Sequence, residues 1–281
     1  MENRNETEIL RLAAFSNGSI GGNPAGVVVS DTLPSDPEMQ RIAADVGYSE
    51  TVFAAPQGDG WRVRYFSPVA EVAFCGHATV ALGSVLADRN GEGAYPLDIN
   101  AGRITVEATR NGGGTRATLV SPPTRSAIAD PTLVQSALDL FGFALTDLNP
   151  ALPPSLAHAG NDHLILALEK RSTLARMDYD LEEGARLMRD HGLTTINLVW
   201  AETPQKFHSR NAFAVGGVLE DPATGAAAAA LAGYLRDIDW PHDGAIDIVQ
   251  GQDMGAMSLL RAEIGTTPGE GIRVSGSTRV I

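Results

Sequence analysis

Three short stretches of this chain carry side chains able to do chemistry unaided. They are Glu50 in Tyr48-Ser-Glu-Thr-Val-Phe53, the run Cys75-Gly76-His77, and Asp221 with Thr224-Gly225 in Glu220-Asp-Pro-Ala-Thr-Gly225. Each residue also has an ordinary reading. Glu50 can be a charge at a strand edge, His77 a helix-start residue, Cys75 a small core residue and Asp221 a helix cap. Taken together they are acid–base groups at the starts of elements. A carboxylate buried against an apolar wall has its proton affinity raised, which suits proton transfer at carbon. Helix N-termini stabilise the enolate-like charge left behind. That set describes an isomerase or epimerase that needs no cofactor.

Other chemistries find less support. The chain has no G-x-x-x-x-G-K-[ST] and no G-x-G-x-x-G after a strand, so nucleotide binding is not expected. The serine elbow G-x-S-x-G is also missing. His158 and His163 lie near one another, but no cysteine or acidic cluster completes a ligand set, and no metal site is expected.

The chain has 281 residues, 43% hydrophobic and 20% charged, enough for one large domain or two medium ones. A net charge of −13 argues against nucleic acid and anionic membrane surfaces as partners. Cys75 is the single cysteine, so no intrachain disulfide can form. The polar start MENRNETEIL lacks the basic-then-apolar order of a signal peptide, and no run reads as a membrane span. A cytoplasmic protein is expected.

The chemistry-bearing stretches belong to an internal echo. Set Glu71-Val-Ala-Phe-Cys-Gly-His-Ala-Thr-Val-Ala-Leu-Gly-Ser-Val-Leu86 above EDPATGAAAAALAGYL, residues 220–235. Glu71 falls on Glu220, Gly76 on Gly225, Ala78 on Ala227, Ala81-Leu82 on Ala230-Leu231 and Leu86 on Leu235. Neither 72–87 nor 222–235 contains Asp, Glu, Lys or Arg, which predicts a helix buried on every side in each half. Each helix begins near a glycine, and its first N–H groups have no intrahelical partner. If both starts face one cleft, they form a site for a carboxylate or an oxyanion.

Weaker echoes surround these helices. Gly22-Asn23 precedes the apolar run at 25–29, as Gly160-Asn161 precedes 164–168. An amphipathic helix is expected at 37–46, with Ser35 or Asp36 as cap, Pro37 in its first turn and Gly47 at its exit. Its counterpart is expected at 181–191, bracketed by Asp180 and Gly192. Ile104–Ala108 alternates like a strand and turns through Asn111-Gly-Gly-Gly114 into Ala117–Leu119, a hairpin. Two similar domains are expected, about 8–120 and 130–275, linked near Ser121 to Pro131. The last strand, about 271–281, is free to return to the first domain.

At this point the motifs carry a family resemblance. GNPAGVVV (22–29), GYSETVF (47–53), RYFSPVAEVAFCGHATVALG (64–83), EDPATGAAAAALAGYL (220–235) and IVQGQDMGAMSLL (248–260) resemble the PhzF-like isomerases, named for phenazine biosynthesis. The resemblance runs from about residue 8 to residue 280. It implies an α+β fold of diaminopimelate epimerase type: two pseudo-two-fold domains, each a barrel-like, mostly antiparallel sheet around a central helix, with the active site between them. It implies a small carboxylated metabolite as partner and a homodimer.

In the phenazine enzyme the Glu of the S-E-T/S motif shuttles a proton between carbons of a dihydro-hydroxyanthranilate. The matching residue is Glu50, and the motifs carry His77 and Asp221 over beside it as catalytic. Asn23, Cys75, Gly76, Thr224, Gly225 and Ala226 are expected to contact substrate. Two departures put the phenazine substrate in doubt. Ala226 stands where that enzyme has Ser, and Ala256 replaces Arg in the Q-G-x-x-x-G-R pattern.

In the related two-cysteine epimerases a cysteine precedes the glycine at both helix starts. Here those positions are Cys75 and Thr224, so a symmetrical two-thiol mechanism is excluded. A Cys/Thr pair resembles certain hydroxyproline dehydratases, which makes a dehydratase or epimerase the enzymatic alternative. A carboxylate-binding protein that keeps the fold without catalysis is the non-enzymatic one.

Overall fold

Strand, helix, strand, hairpin, buried helix, hairpin: that order occurs twice in the computed structural model, which describes residues 8–111 and 114–281. The chain divides into two units. One comprises the chain up to Ala14, Asn23–Leu119 and Gly276–Ile281, and the other Phe15–Gly22 and Val120–Ser275. The end of the chain thus groups with the first unit, and the short segment Phe15–Gly22 with the second.

In the first unit Asn23–Val29 runs antiparallel to Leu10–Ser16 and parallel to Glu50–Gln57. Helix Asp36–Val46 makes that crossover. Ser35 stands at its N-cap, proline lies in its first turn, and Gly47 ends it at φ +71°. Glu50–Gln57 pairs antiparallel with Gly60–Phe66, which pairs parallel with Gly93–Ile99 across the buried helix Gly76–Asn90. Antiparallel strands Gly102–Asn111 and Gly114–Val120 follow. The expected hairpin is therefore present, although its turn residues 112–113, like residues 1–7 of the N-terminal stretch, lie outside the described residues. The last strand, Arg273–Val280, pairs with both Gly114–Val120 and Leu10–Ser16 and closes the ring.

The second unit repeats the pattern. Asp162–Ala167 runs antiparallel to Ser155–His158 and parallel to Thr195–Thr203 across helix Leu181–Asp190. Asp180 caps that helix through the N–H of Glu183 at 2.9 Å. Lys206–Phe213 follows antiparallel and pairs in parallel with Ala245–Gln250 across the buried helix Gly225–Asp237. In both units the parallel pairings are the ones that bracket a helix, because a parallel partner needs a crossover. A further helix, Pro131–Phe141, is capped by Asp130 and buries Leu133, Val134, Ala137, Leu138 and Phe141.

Both central helices are small-residue rods. Gly76 to Ala87 is buried throughout, as is Gly225 to Arg236. Glycine is required where a strand or loop presses on the helix. A Cβ on Gly83 would meet Val106 Cγ2 at 2.5 Å, and one on Gly233 would meet Thr124 at 2.8 Å. A matched ion pair fixes the approach to each helix. Arg64 grips Glu71 through Nε (2.7 Å) and a terminal nitrogen (2.6 Å), and Arg210 grips Glu220 through two 2.8 Å bonds. Two parallel N–H···O bonds define position as well as supply energy. The echoed glutamates are thus anchors that set where each helix starts.

His163 is fully buried and shares a 2.7 Å hydrogen bond between Nδ1 and Thr195 Oγ1. Burial pushes its imidazole down to about 3, whereas an unfolded histidine titrates near ~6.5. Between those values the unfolded chain holds the extra proton. Stability should therefore be complete above about pH 6.5 and fall below it, by at most about 1.4 kcal/mol per pH unit from this residue. Urea midpoints at pH 7 and pH 5 should differ less in His163→Gln than in the parent; equal differences would remove the assignment.

Candidate functional site

Parallel pairing of Asn23–Val29 with Glu50–Gln57 places both strand starts at the same edge, with Ala25 opposite Glu50. Asn23 and Glu50 are the first residues of those strands, and both reach His77 in the first turn of the first central helix. His77 Nδ1 lies 3.2 Å from Asn23 Nδ2 and 3.3 Å from Cys75 Sγ. Its Nε2 lies 3.5 Å from Glu50 Oε2 and 3.4 Å from Ser49 Oγ. With the amide nitrogen of Asn23 on Nδ1, the ring accepts there and carries its proton on Nε2, facing the carboxylate. Glu50 is 8%, Cys75 7% and His77 5% exposed, so the cluster is nearly dry without being sealed.

The helix start beside this cluster has no side-chain cap. Cys75 occupies the N-cap with φ −140°, and its side chain makes no capping hydrogen bond to the first-turn amides. The N-cap itself is firmly held: Thr79 Oγ1 donates to the Cys75 carbonyl at 2.7 Å, and the Tyr65 hydroxyl donates to Thr79 Oγ1 at 2.6 Å. Tyr65 is buried, which pushes its phenol upward and keeps it a neutral donor. Gly76 and its neighbours therefore present backbone donors beside a carboxylate, an imidazole and a thiol.

The second unit holds its own polar cluster at the start of Gly225–Asp237. Thr224 is the N-cap, again without a side-chain cap bond. Its hydroxyl donates to Asp221 Oδ2 and accepts from Asn211 Nδ2 at 2.6 Å and Gln250 Nε2 at 3.1 Å. One donor and two acceptor positions exhaust a hydroxyl. Gln250 also donates to the Asp221 carbonyl at 2.7 Å and accepts from the Thr224 N–H at 3.2 Å. Asn211 is fully buried, and its Oδ1 has no hydrogen-bond partner among the described residues. Ala226 is buried in the first turn beside this network. Ala256 follows the turn at 252–255, with its N–H on Gly251 O at 2.9 Å.

The candidate residues therefore fall into two groups: Asn23, Glu50, Cys75, Gly76 and His77 in the first unit, and Asp221, Thr224, Gly225 and Ala226 in the second. Sequence reasoning missed Ser49, Tyr65, Thr79, Asn211 and Gln250. Ser49, Tyr65, Thr79 and Gln250 lie inside quoted motifs, while Asn211 lies outside them and follows no spacing rule. His158 and His163 bond instead to Asp162 (2.8 Å) and Thr195. Potential metal-ligating atoms gather elsewhere: one each from Glu50, Cys75 and His77, all within 4.8 Å of one another. A cavity of about 440 Å³ in the second unit, lined by Met177, Arg210, Leu219 and Met254 among others, contains none of the candidate residues.

A family model described as "Phenazine biosynthesis-like protein" matches residues 12–280. A Deinococcus radiodurans protein named an uncharacterized isomerase is 35% identical over 235 residues, covering 82% of this chain and 76% of its own length. The trans-2,3-dihydro-3-hydroxyanthranilate isomerase of Pseudomonas aeruginosa is 30% identical over 94% of this chain and 91% of its own. In fold, the crystal structure of a Bacillus anthracis PhzF-family phenazine biosynthesis protein superposes with a TM-score of 0.83, covering 98% and 97% of the two chains at 23% identity.

The hydroxyl relay beneath the N-cap makes an asymmetric prediction. Thr79→Val leaves the buried Tyr65 hydroxyl without its acceptor and should cost about 1–3 kcal/mol, Tyr65→Phe about 1 kcal/mol, and the double variant less than their sum. Denaturant unfolding of the three variants measures this, and strict additivity would refute the relay.

Proposed function

Because this chain belongs to the phenazine biosynthesis-like protein family, an isomerase family of diaminopimelate epimerase-like fold, we propose that it moves a proton between carbons of a small carboxylated metabolite, with Glu50 as the acid–base group. One observation carries this reading. Glu50 Oε2 lies 3.5 Å from His77 Nε2, beside a helix start that the side chain of its N-cap residue, Cys75, does not cap. A carboxylate can take a proton from carbon and return it to a neighbouring carbon, so atoms balance with no added reagent. His77 holds the carboxylate through its Nε2–H. The amides near Gly76 stabilise the oxyanion that forms when the proton leaves. No cofactor enters the scheme.

Asp221 is assigned to the same reaction by its match to the family motif. The alanines at 226 and 256 remove a hydroxyl and a guanidinium from matching positions, so a substrate other than the dihydro-hydroxyanthranilate is favoured. The contact of Cys75 Sγ with His77 Nδ1 at 3.3 Å gives the Cys/Thr dehydratase reading its one support. The saturated hydroxyl of Thr224 weighs against it, since a group with all its positions engaged must break a bond before it can shuttle a proton.

With trans-2,3-dihydro-3-hydroxyanthranilate and a panel of small carboxylates as probes, Glu50→Gln should lower kcat about 10²–10⁴-fold while ligand binding, followed by thermal shift, persists. A Glu50→Gln enzyme with parental kcat would end the assignment. Cys75→Ala should keep measurable turnover, whereas the Cys/Thr mechanism requires it to be dead.

A further inference from the structure

We propose that Glu50, Cys75 and His77 also form a binding site for one borderline-soft divalent cation of the Zn²⁺ type, and that a cation held there shuts off the proton chemistry. The inhibitory half rests on the proposed role of Glu50; the binding half does not.

The donor set is the first argument. Thiolate, imidazole and carboxylate are the three side-chain ligands that Zn²⁺ takes, and three protein ligands with one open position is the pattern of its non-structural sites. Geometry is the second. With Zn–S near 2.3 Å and Zn–N and Zn–O near 2.0–2.2 Å, tetrahedral donors lie roughly 3.4–3.6 Å apart. His77 Nε2 is 3.5 Å from Glu50 Oε2 and 3.9 Å from Cys75 Sγ, and the three residues' ligand atoms lie within 4.8 Å of one another. Small side-chain rotations close the remaining gap.

Charge is the third argument. One thiolate and one carboxylate neutralise a divalent cation, so the complex leaves the nearly dry site with no net charge. The thiolate forms at a helix N-terminus, where the positive end of the dipole favours it. On binding, the Cys75 S–H bond breaks, the sulfur–metal bond forms and the proton leaves to solvent. His77 binds through Nε2, so its proton moves to Nδ1. There Asn23, its amide turned by half a rotation, accepts it through Oδ1 and fixes the ring as outer-shell partners of metal-bound histidines do. The metal then holds the carboxylate oxygens that would have met the substrate.

Cys75 is the chain's single cysteine, which makes the test specific. Co²⁺ titrated into the full-length metal-free protein should bind at one equivalent and produce sulfur-to-cobalt charge-transfer absorption in the near ultraviolet. Cys75→Ser should abolish that absorption, and Glu50→Gln and His77→Asn should each weaken binding at least tenfold, with circular dichroism verifying that the variants are folded. Absence of the band in the parent protein, or unchanged affinity in Glu50→Gln and His77→Asn, would overturn the site. These readouts need no substrate, so they stand or fall apart from the proposed reaction. In the kinetic arm, one equivalent of Zn²⁺ should suppress turnover and EDTA should restore it. Full turnover by protein that carries the metal would overturn the inhibitory half.

Discussion

A helix buried on every side must still begin somewhere, and its first N–H groups have no acceptor within the helix. In both halves of this chain that constraint coincides with the candidate chemistry. Cys75 and Thr224 stand at the N-caps, and neither side chain caps its helix. The surrounding structure holds those starts in place. Arg64 clamps Glu71 and Arg210 clamps Glu220, each glutamate five residues before the first helical glycine. Tyr65 and Thr79 hold the Cys75 carbonyl, and Gly83 and Gly233 let the rods lie close to their surroundings. These contacts fix backbone, and the backbone then presents donors.

The two starts are furnished differently. The first has a carboxylate, an imidazole and a thiol in mutual reach, all able to change protonation state. The second has hydroxyl and amide groups locked to one carboxylate, with the Thr224 hydroxyl spent on three partners. A duplicated architecture has therefore been given unequal chemistry. The proposed one-base scheme centred on Glu50 rests on this inequality.

Much of this was legible in the sequence, for physical reasons. Pro37 and Gly47 bracket a helix because proline suits a first turn and glycine adopts positive φ, and the helix runs Asp36–Val46. The uncharged runs 72–87 and 222–235 announce buried helices, since a charge cannot be left unpaired there. Glu71 and Glu220 themselves were legible as an echo but not as anchors, because their arginine partners lie at different distances along the chain. Helix Pro131–Phe141 is not among the expected helices, although Asp130-Pro131 and the apolar spacing at 133, 134, 137, 138 and 141 mark it. The gathering of Glu50, Cys75 and His77 follows no ligand-spacing rule, because it joins the start of a strand to the start of a helix.

The central claim is that Glu50 carries a proton between carbons of the substrate, and that the proton exchanges with solvent while the carboxyl group holds it. The most direct measurement is turnover in heavy water, with the product's carbon-bound hydrogens read by proton NMR. The account predicts deuterium at the carbon that gains the proton in the parent enzyme, and none above background with Glu50→Gln. Equal deuterium incorporation by the two proteins would contradict it.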